Sequence, residues 1–221
     1  MDDRHPDDDL PLVKICGLTD YDAVAAAVEN GASHLGLVFF PPSPRNLSPD
    51  EAADLMDGVP DEVTITGLFV DPTDDEINAV MQRVRLGLLQ LHGSETPERV
   101  EALRLEFGLP VMKSIGVSSA DDLKAAEPYL GVADMLLFDA KPPQGADRPG
   151  GNATAFDWAI MKAWTDTTTP WLLAGGLTPD TVAEALRVSG APGVDVSSGV
   201  ESAPGQKDPA LIARFLEACG L

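Results

Sequence analysis

Positive charge is scarce in this sequence. Fifteen Lys and Arg stand against 36 Asp and Glu in 221 residues, a formal charge of −21, with an isoelectric point near 4.2. Nucleic acids and anionic membranes reward clustered Lys and Arg, so the balance argues against both as partners. Cysteine is nearly absent. Cys16 and Cys219 lie at opposite ends of the chain, without the short-spaced partners of a zinc site, and two thiols make no disulfide framework. No apolar run approaches the ~18–20 residues of a membrane span. The first residues lack the basic and apolar regions of a secretion signal. These absences lead to an expectation of a cytoplasmic protein. With five Asp against one Arg, residues 1–10 read as a disordered acidic tail ahead of one catalytic domain over 11–221.

A core is nonetheless well supplied, since hydrophobic residues make up 44% of the chain. From Leu12 onward two kinds of segment alternate. Short apolar runs read as buried strands at Leu12–Cys16, Leu35–Phe40, Val63–Val70, Leu86–Leu91, Val111–Ile115, Met135–Asp139, Trp171–Ala174 and Val194–Ser197. Between them lie stretches with helical spacing and start signals. Thr19 precedes an Ala-rich segment, and Ser48-Pro49-Asp50-Glu51 offers a capping Ser, a Pro and first-turn acids. Thr96-Pro97-Glu98 and Thr178-Pro179-Asp180 repeat that chemistry, and Ser118 or Ser119 opens a further segment. Continuous apolar strands separated by helices imply parallel pairing with both faces covered. Eight such units predict an α/β fold, a single-domain (β/α)₈ TIM barrel. A doubly wound open sheet is the competitor, but Cys16-Gly17-Leu18-Thr19 lacks the glycine fingerprint expected after its first strand.

In such a barrel the chemistry gathers where strands end. Gly175-Gly176 follows the seventh strand and Ser197-Ser198-Gly199 the eighth. Small residues there allow backbone amides to approach a phosphate, and loops seven and eight are the recurrent phosphate site of this architecture. Tight turns chosen for dihedral freedom are the alternative. Cys16 ends the first strand with Lys14 on its face, and a buried ammonium nearby favours thiolate, giving a nucleophile or a general base. The alternative is a small buried hydrophobe. Asp139 ends the sixth strand after four apolar residues. Its ordinary partner is Lys141; the sharper reading is a proton-donating carboxyl. Arg45, on a Pro-rich loop after the second strand, suits a carboxylate clamp or simply offsets surface acid. Gln90 and His92 share a strand face as polar lining, His92 reading as structural rather than catalytic.

These residues resemble one family. Val13-Lys14-Ile15-Cys16-Gly17-Leu18-Thr19, Gly36-Leu37-Val38-Phe39-Phe40 with Ser43-Pro44-Arg45-Asn46-Leu47-Ser48-Pro49, and Gly67-Leu68-Phe69-Val70 carry the resemblance first. Leu89-Gln90-Leu91-His92-Gly93, Leu136-Leu137-Phe138-Asp139, Gly150-Gly151 and Leu173-Ala174-Gly175-Gly176-Leu177 continue it. Val194-Asp195-Val196-Ser197-Ser198-Gly199-Val200-Glu201, followed by Pro204-Gly205-Gln206-Lys207-Asp208, completes it. The chain is similar to phosphoribosylanthranilate isomerases. The resemblance implies a ribulose-phosphate-binding barrel that opens the ribose of phosphoribosyl anthranilate and rearranges the aminoaldose to an aminoketose, in tryptophan synthesis. It implies Cys16 as general base, Asp139 as general acid and Arg45 on the anthranilate moiety. It further implies Asp195 on a sugar hydroxyl, and Gly175, Gly176, Ser198 and Gly199 around the phosphate. No metal or organic cofactor follows from it, and the protein is expected as a monomer or homodimer. Two departures stand after the sixth strand: Ala153 where a further glycine is usual, and a long Pro142–Pro149 stretch. A sibling isomerase acting on a ProFAR-type substrate would be expected to carry Asp where Cys16 stands. A pentulose-phosphate epimerase would carry a His/Asp metal set not found here. A non-catalytic phosphosugar-binding barrel would not need both Cys16 and Asp139.

A substrate bearing phosphate and carboxylate must approach a chain of charge −21. Capture then rests on local donors: Arg45, Lys14 and the amides of loops seven and eight. Because salt screens the long-range repulsion, KM is expected to fall as salt is raised from low values. A KM that climbs steadily from low salt would contradict this.

Overall fold

The computed structural model describes residues 10–141 and 155–221. The expected acidic tail therefore lies, apart from Leu10, outside the described residues, as do Pro142–Pro149, Gly150-Gly151 and Ala153. Eight parallel strands close into a barrel in sequence order. They are β1 (Leu12–Cys16), β2 (His34–Phe39), β3 (Thr64–Phe69), β4 (Leu88–Leu91), β5 (Val111–Val117), β6 (Met135–Ala140), β7 (Trp171–Leu173) and β8 (Gly193–Val196). Strand boundaries fall within two residues of the sequence reading. The fourth begins late because Leu86 is still turning, its amide bonded to Val84 O at 3.1 Å. Among the described residues no helix is long and apolar enough to cross a membrane.

The outer layer is less regular than eight equal helices. Among the described residues six α-helices form: α1 (Tyr21–Glu29), α2 (Pro49–Leu55), α3 (Asp74–Met81), α4 (Pro97–Phe107), α5 (Val182–Ser189) and α6 (Pro209–Cys219). Among the described residues after β5 and β6 the chain makes 3₁₀ turns, at Ala120–Tyr129 and Trp158–Ala163. Pro128 lies inside the first of these and supplies no amide donor. The starts of α2 and α4 are as the sequence predicts, with Ser48 and Thr96 as caps and Pro at the first position. Two starts differ. Asp20, not Thr19, caps α1, its carboxylate accepting from Ala23 N at 2.9 Å; Thr19 turns away to donate to Gly205 O. The helix expected from Thr178 begins at Val182, because Thr178 and Thr181 bond to each other's turn, with Thr178 N on Thr181 Oγ1 at 3.0 Å.

Side-chain alternation divides the core. Val13, Ile15, Leu89, Leu91, Val111, Leu136, Phe138, Val194 and Val196 face the helices. Inside the barrel, Leu88, Met112, Met135, Leu137, Leu172 and Ala174 form one apolar cluster, and Cys16, Val38 and Leu68 another. Phe138 also meets Trp164 and Trp171 edge-on, at 5.0 and 5.5 Å between centroids, pinning β6 to the outer layer.

One polar contact interrupts the apolar layer outside the barrel. Lys113 of β5 is buried and reaches Glu95 at 2.9 Å, Gly93 O at 2.7 Å and Leu91 O at 3.4 Å. Glu95 in turn accepts from the amides of Gly93 and Asp71. Lys113→Ala strands a buried carboxylate, and in urea unfolding it is expected to cost about 3–5 kcal/mol. Breaking the exposed Arg85–Asp61 pair with Arg85→Ala should cost under about 1 kcal/mol. Equal losses would refute the distinction.

Candidate active site

Parallel pairing of β1 with β8 places Lys14 directly beside Asp195. Both side chains turn inward, and their charges meet at 2.7 Å with Lys14 completely buried. Alternation puts Cys16 on the same inner face, one layer nearer the strand ends. Across from them, Gly36 has no side chain: a Cβ there would lie 3.0 Å from both Cys16 Sγ and Lys14 Nζ. The absence of a side chain on β2 thus makes the room in which thiol and ammonium sit together.

The sequence leads to the expectation of a thiolate here. The free protein differs. Burial pushes the Cys16 thiol above its ordinary 9.0, with Asp195 adding to the rise, and the Lys14 ammonium only partly offsets it. Lys14's charge is already engaged by Asp195. Burial alone lowers the Lys14 pKa, but Asp195 and Cys16 more than reverse that, and it stays charged.

Asp139, the penultimate residue of β6, lies on its inner face, with its Oδ1 accepting from the Ala140 amide at 2.8 Å. Its expected partner was Lys141, but that side chain points away and pairs with Asp122. The neighbour found instead is His92, whose Nε2 lies 3.3 Å from Asp139 Oδ2 and 3.2 Å from Ser114 Oγ. Gln90 approaches His92 Nδ1 at 3.0 Å. In the amide orientation assigned to Gln90, the ring proton sits on Nε2 and faces the carboxylate. Gln90 and His92 thus do share a face, and they join Asp139 in one network.

Loops seven and eight complete the rim between β6 and β1. Gly175 and Gly176 both adopt positive φ, +91° and +66°, a region that side chains resist. A Cβ on Gly175 would lie 2.6 Å from Ala140 N and 3.1 Å from Asp139 Oδ1, so loop seven packs onto the acid. A Cβ on Gly199 would fall 1.7 Å from Leu177 O, which brings the two loops together. Ser198–Val200 forms a single 3₁₀ turn, the kind of short extra helix that lies at the phosphate site of many such barrels.

Arg45 is neither a surface residue nor a free clamp. It is 4% exposed, and Glu201 takes its Nε and one terminal nitrogen at 2.6 and 2.8 Å. Lys207 meets the same carboxylate at 2.7 Å. Glu201 opens a short hairpin of β9 (Glu201–Ala203) and β10 (Gln206–Lys207) that follows β8. Sequence reasoning quoted Glu201 and Lys207 within a motif but gave them no role, and it passed over Ser114, Lys113 and Glu95. A lysine within an otherwise apolar strand, as at Lys113, is the usable signal for that buried pair. Among the described residues no three His, Cys, Asp or Glu side chains converge as metal ligands.

Comparison with known proteins gives a consistent picture. The family model for N-(5'-phosphoribosyl)anthranilate (PRA) isomerase matches residues 13–218. A relative of that name from Paramagnetospirillum magneticum is 65% identical, over 93% of this chain and 95% of its own. One from Rhodospirillum rubrum is 57% identical over 94% and 96%. The crystal structure of phosphoribosyl anthranilate isomerase from Thermotoga maritima superposes with a TM-score of 0.85 at 35% identity, covering 96% of this chain and all of that one. Another structure of such an enzyme, in complex with reduced 1-(o-carboxyphenylamino)-1-deoxyribulose 5-phosphate, gives 0.82 at 34% identity, with 96% and 100% covered.

The thiol state is directly measurable. The ultraviolet thiolate signal of the free protein, minus that of Cys16→Ser, is expected to titrate with a midpoint above 9.0. Cys219, pushed by burial to about 12, stays out of the way. A midpoint below 9.0 would mean that Lys14 outweighs burial.

Proposed function

The chain belongs to the N-(5'-phosphoribosyl)anthranilate isomerase family, and we infer that Cys16 and Asp139 carry that family's proton transfers at the mouth of this barrel. The protein isomerises N-(5'-phosphoribosyl)anthranilate to 1-(2-carboxyphenylamino)-1-deoxyribulose 5-phosphate, a step of tryptophan biosynthesis. The observation that carries the residue roles is one of placement. A thiol on β1 and a carboxylate on β6 both face the lumen at the strand ends, with loops seven and eight between them.

Held by its phosphate near Gly175, Gly176, Ser198 and Gly199, the substrate presents its ribose to both groups. Asp139, in its protonated form, gives its proton to the ring oxygen. The C1–O bond breaks, and the nitrogen lone pair forms C=N. Cys16 acts from its thiolate form, the minor one in the free protein; it takes the proton from C2, and the electrons return through C1=C2 to nitrogen. The resulting enolamine gains a proton at C1 and loses one from its hydroxyl, which leaves the ketone. Return of a proton from Cys16 to Asp139, by way of solvent or product, restores the starting state.

Lys14 serves two roles in this reading. It is the cation on hand for a thiolate, and it holds Asp195 in position to accept from a sugar hydroxyl. His92, with Gln90 and Ser114 behind it, fixes the direction in which Asp139 points. Arg45 offers the terminal nitrogen not taken by Glu201 to the anthranilate ring's carboxylate. A small anionic molecule is thus the partner. A cytoplasmic setting belongs to the same reading, supported by both cysteines being free thiols.

The assay is direct. Phosphoribosylanthranilate, generated fresh, should lose its fluorescence faster with the protein than without it. Cys16→Ala and Asp139→Ala should each lower kcat by ~10²-fold or more, the usual worth of a positioned acid or base. Near wild-type turnover in either variant would remove that residue from its role.

A further inference from the structure

Three charged side chains meet on the rim beside Cys16, and their hydrogen-bond accounts differ. Lys207 has three ammonium protons and three acceptors: Ser197 O at 2.9 Å, Ser197 Oγ at 3.3 Å and Glu201 Oε1 at 2.7 Å. Glu201 takes four donors: two from Arg45, one from Lys207 and the Gly205 amide at 3.2 Å. A carboxylate has about four lone-pair sites, so Glu201 is saturated and has no capacity for a sugar hydroxyl or a proton. Arg45 alone is left with donors. Glu201 occupies its Nε edge, and among the described residues nothing accepts from the remaining terminal nitrogen.

The Arg45 side chain crosses directly over Gly17, the residue after Cys16, where a Cβ would lie only 2.4 Å from Arg45 Cδ. Gly205 similarly leaves room for loop two, since a Cβ there would be 2.7 Å from Pro44 O. Ser43 Oγ accepts the Arg45 amide at 3.1 Å, and Leu47 N bonds Val38 O at 3.0 Å, so the backbone of loop two is held as well. Two cations share one anion, and the cluster keeps one net positive charge. It resides on Arg45, a residue only 4% exposed, whose Nε and one terminal nitrogen are taken by Glu201.

We propose that Glu201 is a positioning residue for substrate selection: it locks the inner edge of Arg45 so that only the outer edge meets the carboxylate on the substrate's aryl ring. This rests on the isomerase reading and adds to it the element that selects a carboxylated aglycone. A guanidinium released from Glu201 would still be a cation, but it would swing on a four-bond side chain and lose the planar register on which paired hydrogen bonding depends.

Two ligands separate this role from a merely structural one: reduced 1-(o-carboxyphenylamino)-1-deoxyribulose 5-phosphate, and the same compound with a plain phenylamino group. Their dissociation constants are measured on the wild-type protein and on Glu201→Gln. The wild type is expected to prefer the carboxylated ligand by about tenfold or more, the worth of a charge-assisted pair. Glu201→Gln should weaken that ligand by about tenfold while moving the phenylamino compound by less than about twofold. Equal weakening of both ligands would make Glu201 a general staple of the hairpin and overturn the proposal, as would no change in either. If Glu201→Gln does not fold, Glu201→Asp takes its place and is judged by the same comparison; it keeps the charge facing Lys207 but draws back from Arg45. A wild-type protein that fails to isomerise phosphoribosylanthranilate refutes the isomerase reading itself, a result separate from any change in ligand preference.

Discussion

Closing a sheet on itself forces its first and last strands to share a seam, and here that seam brings a buried ammonium beside a buried carboxylate. Lys14 and Asp195 are register partners on β1 and β8, so neither can avoid the other once the barrel closes. Each charge taken out of water alone is costly, and together they offset much of that cost. The rest of the mouth depends on this pair. It holds a cation one layer beneath Cys16, and it fixes Asp195 toward the lumen. It also requires Gly36 on the next strand, where a larger residue would displace both the thiol and the ammonium.

Acid and base are distributed at two depths. Helices of a βα unit start at the same end of the barrel where its strands finish, so first-turn acids crowd the rim. Asp20 caps α1, and Ser48 with Glu51 and Thr73 with Glu76 form reciprocal caps on α2 and α3. Such residues complement the helix dipoles, which gives part of the charge of −21 a local structural use. Three cations lie inside that ring: Lys14, Lys207 and Arg45 are all buried. Burial protects their fields from solvent screening, while the exposed acids act over distances that salt shortens. Attraction at the site therefore coexists with repulsion from the surface.

The network around Asp139 shows how a second buried pair supports a first. Lys113 grips the carbonyls of Leu91 and Gly93, one on each side of His92, and Glu95 binds the Gly93 amide. Leu91 and Gly93 hold the backbone on which His92 sits, and His92 in turn faces Asp139. Charges in the layer outside the barrel thus stabilise the geometry of groups inside it, through the turn that leaves β4 at Leu91.

Much of the architecture was legible in the chain itself. Alternating apolar runs and cap signals specify βα units because strand and helix periods are local properties. The strict alternation of inner and outer faces put Lys14 with Cys16, and Gln90 with His92, before any contact was known. The pairings were not legible. Asp139 has a lysine two residues away in sequence, yet strand alternation and the turn after β6 aim Lys141 at Asp122 and leave the acid to the histidine just after β4. Arg45 looked free because Glu201 lies 156 positions further on and meets it only after eight strands have closed. The state of the Cys16 thiol likewise follows from depth rather than order: a nearby lysine raises the expectation of thiolate, but burial and a carboxylate on the last strand decide otherwise. Sequence determines which groups line each face of each strand; only closure of the barrel decides which charges neutralise one another, because electrostatics depends on distance and burial, and neither exists until the chain is folded.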